Sequence, residues 1–197
     1  VSVILPTINE AENLAELLPR LFALPLDLEV IVVDDASTDG TAVFVREQGR
    51  TFRMLRLMER PQKMGLASAV IDGFSAAAGE VLVAMDADLS HNEKILPELV
   101  AAIEDGADVA IGSRFVVGGG MEGWPRRRQF ASAVATAVAR VMLRVRAHDP
   151  MSGYFAVRRS VFDRVRPQLR PRGYKILLEI LVRAAPLRVL EVGFIFV

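Results

Sequence analysis

Two apolar runs in this chain stop abruptly at clustered carboxylates, and that pattern limits the folds open to it. One is Leu28-Glu29-Val30-Ile31-Val32-Val33, which ends in Asp34-Asp35-Ala36-Ser37-Thr38-Asp39-Gly40-Thr41; the other is Val81-Leu82-Val83-Ala84-Met85, which ends in Asp86-Ala87-Asp88-Leu89-Ser90-His91. Short continuous apolar runs mark strands buried on both faces, as in a parallel sheet covered by helices. In an open α/β sheet, ligands collect beyond the carboxyl ends of the strands. With Val1 to Pro6 as a third run, three strand ends converge on one edge. Extended geometry would aim Asp86 and Asp88 to the same side. Two like charges so placed are costly unless a cation lies beside them, and a divalent ion carrying a nucleotide diphosphate meets that demand. A solvated turn with two ordinary acids is the plainer alternative for either run alone. Ser37 or Thr38 can cap a helix starting near Thr41, with Asp39 favourable at its N-terminus; capping leaves Asp34 and Asp35 unexplained.

The first half alternates apolar runs with amphipathic stretches, the pattern of βα units. Strands are expected near residues 2 to 6, 28 to 34, 53 to 58, 80 to 85 and 108 to 112, and helices near 10 to 23, 40 to 48, 66 to 78 and 93 to 105. Residues 115 to 125 form a glycine-rich loop, followed by a long helix from Arg126 to Ala147, a strand from Gly153 to Val157, a helix from Tyr174 to Ala184 and a closing strand from Leu187. No linker divides the chain, so residues 1 to 197 read as one domain, with a nucleotide-binding half (1 to 114) and an acceptor-facing half (115 to 197). The abrupt stop on Val192 to Val197 reads as a truncated C-terminus.

Composition removes several chemistries. Cysteine is absent and His91 and His148 are the only histidines, which excludes disulfides, thiolate metal sites and His-rich zinc sites. Formal charge is zero, so no bulk attraction to nucleic acid is expected. An apolar content of 52% is high; doubly covered strands raise it, and so would a surface resting on lipid. No apolar run reaches the roughly 18 residues that span a bilayer. The lack of disulfides and of a signal peptide suits the cytosol.

Several blocks together resemble the family-2 glycosyltransferases of GT-A fold, and within them the dolichol-phosphate mannose synthase or polyprenol-phosphate mannosyltransferase subgroup. They are Pro6-Thr7-Ile8-Asn9-Glu10, Asp34-Asp35-x-Ser37-x-Asp39-Gly40-Thr41, Gly65-Leu66-Ala67-x-Ala69, Asp86-Ala87-Asp88-Leu89-Ser90-His91 and Gly112-Ser113-Arg114. Trp124 with Arg128 and Ser132, Asp149-Pro150-Met151-Ser152-Gly153-Tyr154-Phe155, and Gly173-Tyr174-Lys175 with Glu179 point to the polyprenol-phosphate subgroup. The resemblance implies an α/β fold with a mostly parallel central sheet flanked by helices. It implies that Pro6, Ile8, Glu10, Asp34, Asp35 and Ala87 border the nucleotide sugar, that Asp86 and Asp88 carry Mg²⁺ or Mn²⁺ on its diphosphate, and that Arg114 and Lys175 meet phosphate. Arg128 and Ser132, with Lys175, would hold the acceptor phosphate, and Asp86, Asp88 and Arg114 would be the catalytic set. The implied activity is transfer of mannose from GDP-mannose to a dolichol or polyprenyl phosphate, at the cytoplasmic face of a membrane. Ile8 stands where a Tyr is common, Asn92 where a Pro is common, and the chain ends before the basic stretch that usually follows the final strand in this family.

The chemistry fits those residue types. A departing diphosphate needs compensating charge, which a metal on Asp86 and Asp88 and nearby arginines supply. A phosphate monoester acceptor needs no general base, because its second pKa is about 6. It needs cations, and the second half offers Arg126, Arg127, Arg128, Arg140, Arg144 and Lys175. Arg126 to Arg128 would oppose the dipole of the helix they start, which favours an anionic partner. The helix that follows is either a core helix or an interfacial one with arginines at head groups. His91 either contacts phosphate or holds its loop, and the second is favoured. Trp124 either anchors its loop or closes over sugar or lipid. Glu179 is spaced to pair with Lys175, and Asp149 caps a turn, orients an arginine or faces the sugar. A glucosyl or other UDP-sugar transferase and a non-catalytic nucleotide-sugar module are the alternatives. An aspartyl phosphatase fits less well because three strands precede the acidic motif, and a dehydrogenase less still because no Gly-x-Gly-x-x-Gly follows Pro6.

Overall fold

The computed structural model describes residues 1–123, 145–171, 173 and 175–197. Its first part follows the expected alternation: β1 (Ser2–Thr7), α1 (Ala11–Phe22), β2 (Glu29–Asp34), α2 (Thr41–Gln48), β3 (Leu55–Glu59), α3 (Leu66–Ala76), β4 (Val81–Ala84), α4 (Leu96–Glu104) and β5 (Val109–Ser113). Then come β6 (Gly120–Met121), β7 (Phe155–Arg158), α5 (Arg159–Val165), α6 (Ile176–Arg183), β8 (Val189–Gly193) and β9 (Ile195–Phe196). The seven-stranded sheet has the order β3-β2-β1-β4-β7-β5-β8. All its pairings are parallel except those of β7, which runs antiparallel between β4 and β5. The expected mostly parallel sheet is therefore present.

Strand alternation divides the interior into two apolar layers. Val3, Leu5, Val30, Val32 and Val83 point to one face, where they meet Leu14, Leu17, Leu18 and Leu21 of α1 and Leu96, Leu99 and Ile103 of α4. The i, i+3, i+4, i+7 spacing of the α1 leucines is what makes that helix one-sided. Ile4, Ile31, Val33, Leu82 and Phe155 point to the other face, against α3, α5 and α6. There Phe74 meets Phe155 and Phe162 edge-on, with ring centroids 6.1 and 5.2 Å away.

Because β7 is reversed, its last residues lie at the edge opposite the acidic strand ends, where helices finish. Arg158 donates to the carbonyls of Ile103, in the last turn of α4, and of Ala107, just beyond it. Arg159 donates to those of Ala77 and Gly79 after α3, at 2.6 to 2.8 Å. Both satisfy helix C-terminal carbonyls with a cation that the dipole favours.

The closing strand expected from Leu187 is two strands. β8 ends at Gly193, where a Cβ would lie 2.3 Å from the Val117 carbonyl oxygen, so only glycine allows the glycine-rich loop to cross there. The chain then turns, and β9 pairs in parallel with β6 as a small second sheet. The helix expected from Tyr174 to Ala184 spans Ile176–Arg183, and α5 was not anticipated. The long helix expected from Arg126, with Trp124, Arg126 to Arg128, Ser132, Arg140 and Arg144, lies outside the described residues; Val145 to Ala147, at its expected end, are not helical.

A close helix–sheet approach gives a direct test. At Gly73 of α3 a Cβ would stand 2.6 and 2.8 Å from side-chain carbons of Ile4. Gly73→Ala should lower stability by about 1–3 kcal/mol, although helix propensity alone favours alanine by about 1 kcal/mol. Urea unfolding measures it; an unchanged or raised midpoint would show that α3 can shift away from β1 freely.

Candidate active site

The pairing register brings the strand ends level. Thr7 of β1 lies opposite Asp34 of β2, and Asp34 opposite Glu59 of β3. The loops that follow are tied to one another by polar side chains. Asn9 N–H donates to Ser37 Oγ at 2.8 Å, Thr38 N–H to Asn9 Oδ1 at 2.8 Å, and Ala11 N–H to Asp39 Oδ2 at 3.1 Å. Asp39 also accepts from Thr41 N–H and the Thr41 hydroxyl, so it joins the starts of α1 and α2. Burial acts to raise its pKa, but these hydrogen bonds outweigh it and hold the carboxyl below its ordinary value. The expected cap by Ser37 or Thr38 is not the one formed: Gly40 is the N-cap of α2, without a side-chain cap. Three loops each contain a non-glycine residue in the left-handed region, Asn9 at φ 58°, Ala36 at 60° and Leu89 at 63°. Such conformations are costly and persist where the surroundings enforce them.

Between these loops and α3 lies a cleft of about 470 Å³ lined by Pro6, Thr7, Ile8, Glu10, Asp35, Lys63, Gly65, Leu66, Ala69, Asp86, Ala87 and Asp88. Of the expected nucleotide-sugar residues, Pro6, Ile8, Glu10, Asp35, Asp86, Ala87 and Asp88 meet here. Asp34 is not among the lining residues. It is buried and accepts from Ser37 N–H and the Ser37 hydroxyl, closing the turn after β2. Asp35 accepts from the backbone N–H groups of Met64 and Gly65 at 2.8 and 2.9 Å and pairs with Arg60 at 3.2 Å, so it fixes the β3–α3 loop as well as lining the cleft. Lys63, on that loop, is the one cation among the lining residues. Sequence reasoning did not select it; its place after a fourth strand end was the signal.

Strand geometry ends at Ala84, so pleat alternation does not bring Asp86 and Asp88 together; a turn does. Asp88 Oδ1 accepts from Ser90 N–H and the Ser90 hydroxyl at 3.0 and 2.5 Å. The buried His91 ring accepts the Asp86 N–H at Nδ1, 3.0 Å away. This ring therefore holds the loop, as favoured above, and its proton sits on Nε2, 3.8 Å from Asp86 Oδ2. Burial holds the His91 pKa down at about 4, against the opposing charge of Asp88. Asp86 moves the other way: burial, then the charges of Asp88 and Glu10, push its carboxyl up to about 6.

Crowded carboxylates, one of them, Asp86, with a raised pKa, suit a divalent cation. Among the described residues no group of three or more acidic, histidine or cysteine side chains stands ready to hold one. Two carboxylates leave most of an oxygen coordination shell to ligand and water, as Mg²⁺ and Mn²⁺ accept. The residues present fit such an ion.

Arg114, beyond β5, lies outside the residues lining this cleft. It donates twice through its guanidinium to Asp149, at 2.7 and 2.9 Å, and once through its backbone at 3.2 Å. Its guanidinium also lies over the rings of Phe115 and Phe196. Asp149, fully buried, thus has the arginine-orienting role. Glu191 supports it by accepting the backbone N–H groups of His148 and Asp149 at 2.7 and 3.0 Å. Lys175 also stands apart from the cleft and donates to the Met151 sulfur. Glu179 does not pair with Lys175; it pairs with Arg183 at 2.7 Å, one turn further on, the orientation that suits the helix dipole. Trp124, Arg128 and Ser132 lie outside the described residues.

Comparison with known proteins places this geometry. The family model "Glycosyl transferase family 2" matches residues 2–166. The chain is 46% identical over 200 aligned positions to a dolichol-phosphate mannosyltransferase of Pyrococcus furiosus, covering 100% of this chain and 56% of that protein. It is 40% identical to a polyprenol monophosphomannose synthase of Mycolicibacterium smegmatis, over 83% of this chain and 63% of that protein. Among solved structures, a mannosyltransferase from Pyrobaculum calidifontis in complex with GDP-Man and Mn²⁺ superposes with a TM-score of 0.71 at 27% identity, over 98% of this chain and 54% of that one. The chain thus spans little more than half to under two thirds of the length of these relatives. With its GT-A-like sheet and a matching model over most of its length, this chain belongs to glycosyl transferase family 2.

Proposed function

We propose that this chain carries the donor-binding and catalytic unit of an inverting mannosyltransferase that uses GDP-mannose and a dolichol or polyprenyl phosphate. The observation that carries the reading is the Asp86–Asp88 turn, whose two carboxylates open into one cleft with Glu10, Asp35 and Lys63. The names of the two curated relatives and the GDP-Man complex of the structural neighbour support the choice of donor and acceptor.

Pro6, Ile8, Asp35 and Lys63 would border the nucleoside, and Asp86 and Asp88 would hold Mg²⁺ or Mn²⁺. When bound, that ion offsets charge on the departing diphosphate. Arg114, aimed by Asp149, adds a fixed cation for phosphate oxygens. An oxygen of the acceptor phosphate forms the new bond to the anomeric carbon as the bond to the β-phosphate oxygen breaks. The electron pair leaves with GDP. The acceptor is already largely dianionic, so no side chain has to take a proton. Displacement from the opposite face turns an α-linked donor into a β-linked product. A lipid-borne acceptor would bring the chain to the cytoplasmic face of a membrane; among the described residues no helix is long and apolar enough to cross one.

Labelled GDP-mannose and a short polyprenyl phosphate, incubated with the purified protein, should yield a mannolipid that EDTA abolishes. Asp88→Ala should reduce transfer on the order of 10²–10³-fold, the usual loss when an element of transition-state charge stabilisation is removed. Transfer from UDP-glucose alone would replace the donor, and nucleotide binding without transfer to any phospholipid acceptor would favour a binding module.

A second outcome concerns stability. In metal-free protein the folded Asp86 carboxyl holds its proton up to about pH 6, whereas the unfolded one releases it near the ordinary aspartate value of 3.8. Stability contributed by this group should fall as pH rises through that window. Asp86→Asn should remove the slope, raise the melting temperature of metal-free protein at pH 7, and abolish the rise that Mn²⁺ gives the unsubstituted chain. A melting temperature that Asp86→Asn leaves unchanged at both pH 4 and pH 7 would contradict this.

A further inference from the structure

The segment that precedes β7 enters from the acidic edge of the sheet, and three of its residues touch the site from behind. Asp149 holds Arg114. Tyr154 stacks on His91, with ring centroids 5.2 Å apart and 22° between planes. At Gly153 a Cβ would lie 3.0 Å from Asp86 Oδ2 and 3.3 Å from His91 Cε1. Asp86 is therefore held between a ring that accepts its backbone N–H and a backbone with no side chain to displace its carboxylate. Phe194 and Phe196 close the other sides of the His91 ring, edge-on at 5.5 and 5.6 Å, and Val197 N–H reaches the Ser90 carbonyl at 3.4 Å.

We propose that Gly153 and His91 are positioning residues for the metal-binding turn: together they fix the pose of the Asp86 carboxylate, and the Asp149–Tyr154 segment thereby sets the metal site and the Arg114 cation in one rigid frame. This rests on the reading of Asp86 and Asp88 as metal ligands. Gly153 does not occupy the left-handed region, so the backbone itself tolerates alanine there. The added methyl has no room except by moving Asp86 or the His91 ring. Groups behind a metal ligand typically change metal affinity by about 10–100-fold when altered.

The test measures Mn²⁺ binding by electron paramagnetic resonance, with and without GDP, on the unsubstituted protein, Gly153→Ala and His91→Phe. His91→Phe keeps a ring against Tyr154 but removes the acceptor for the Asp86 N–H. Both variants should melt within a few degrees of the parent in EDTA, bind GDP without metal as the parent does, and bind Mn²⁺ on the order of 10-fold or more weakly. The Mn²⁺ spectrum in the GDP complex should also broaden, which a remote packing change would not cause. A folded Gly153→Ala with parental Mn²⁺ affinity overturns the inference, and His91→Phe decides in the same way should Gly153→Ala not fold. Failure of the unsubstituted protein to bind Mn²⁺ even with GDP overturns the metal-site reading itself, and this inference with it.

Discussion

Parallel pairing in register is the constraint on which the rest depends. Because β1, β2 and β3 end in the same row, and β4 lies beside β1, loops that are far apart in sequence leave the sheet side by side. β1, β2 and β4 are buried on both faces, so slipping one by a residue would exchange its two sets of apolar side chains between layers. Burial thus fixes the register, and the register fixes where the carboxylates stand. The acids themselves contribute nothing to the core, and their mutual repulsion opposes folding.

That opposition is partly offset by neighbouring donors. Asp34 is satisfied by the hydroxyl and backbone N–H of Ser37, Asp39 by Thr41 and by the Ala11 N–H of a neighbouring loop, and Asp35 by Arg60 and two backbone N–H groups. Among the described residues Asp86 has no such pairing with an arginine or lysine, and its carboxyl is driven upward. Asp34, Asp35, Asp39 and Asp88 thus all help to build their loops, and Asp86 is the acid left with the least compensation. Crowding of like charges around Asp86 comes at some expense in stability, as is common where functional sites collect strain and charge.

How much of this was legible follows from the range over which each signal acts. The strands and helices of residues 1 to 113 were readable because apolar runs and amphipathic periods are local, and Pro6, Asp35, Asp86 and Asp88 could be placed at strand ends for the same reason, whereas Ile8 and Glu10 were placed by the family resemblance. Which of two adjacent acids faces the cleft was not readable: Asp34 and Asp35 follow one another in a pleat, and only the turn geometry sends one inward. Lys63 looks in sequence like any lysine of a polar loop. Arg158 and Arg159 cap helices that end far back in the chain, and the break between β8 and β9 arises from a backbone crossing at Gly193 that no nearby residue announces. Glu179 had two cations within reach of its turn, and the choice of Arg183 over Lys175 depends on where each side chain finds other contacts.

The reversed strand β7 also bears on how the chain reaches this state. β4 and β5 follow one another in sequence yet are not neighbours, and the slot between them is filled by a strand made some forty residues after β5. A chain emerging from the ribosome can assemble β1 to β4 with their helices while β4 still presents an open edge. Such an edge is a template for mispairing until its partner arrives. The strand that fills the slot also brings Gly153 and Tyr154 against Asp86 and His91, so until it docks the Asp86–Asp88 turn lacks its backing.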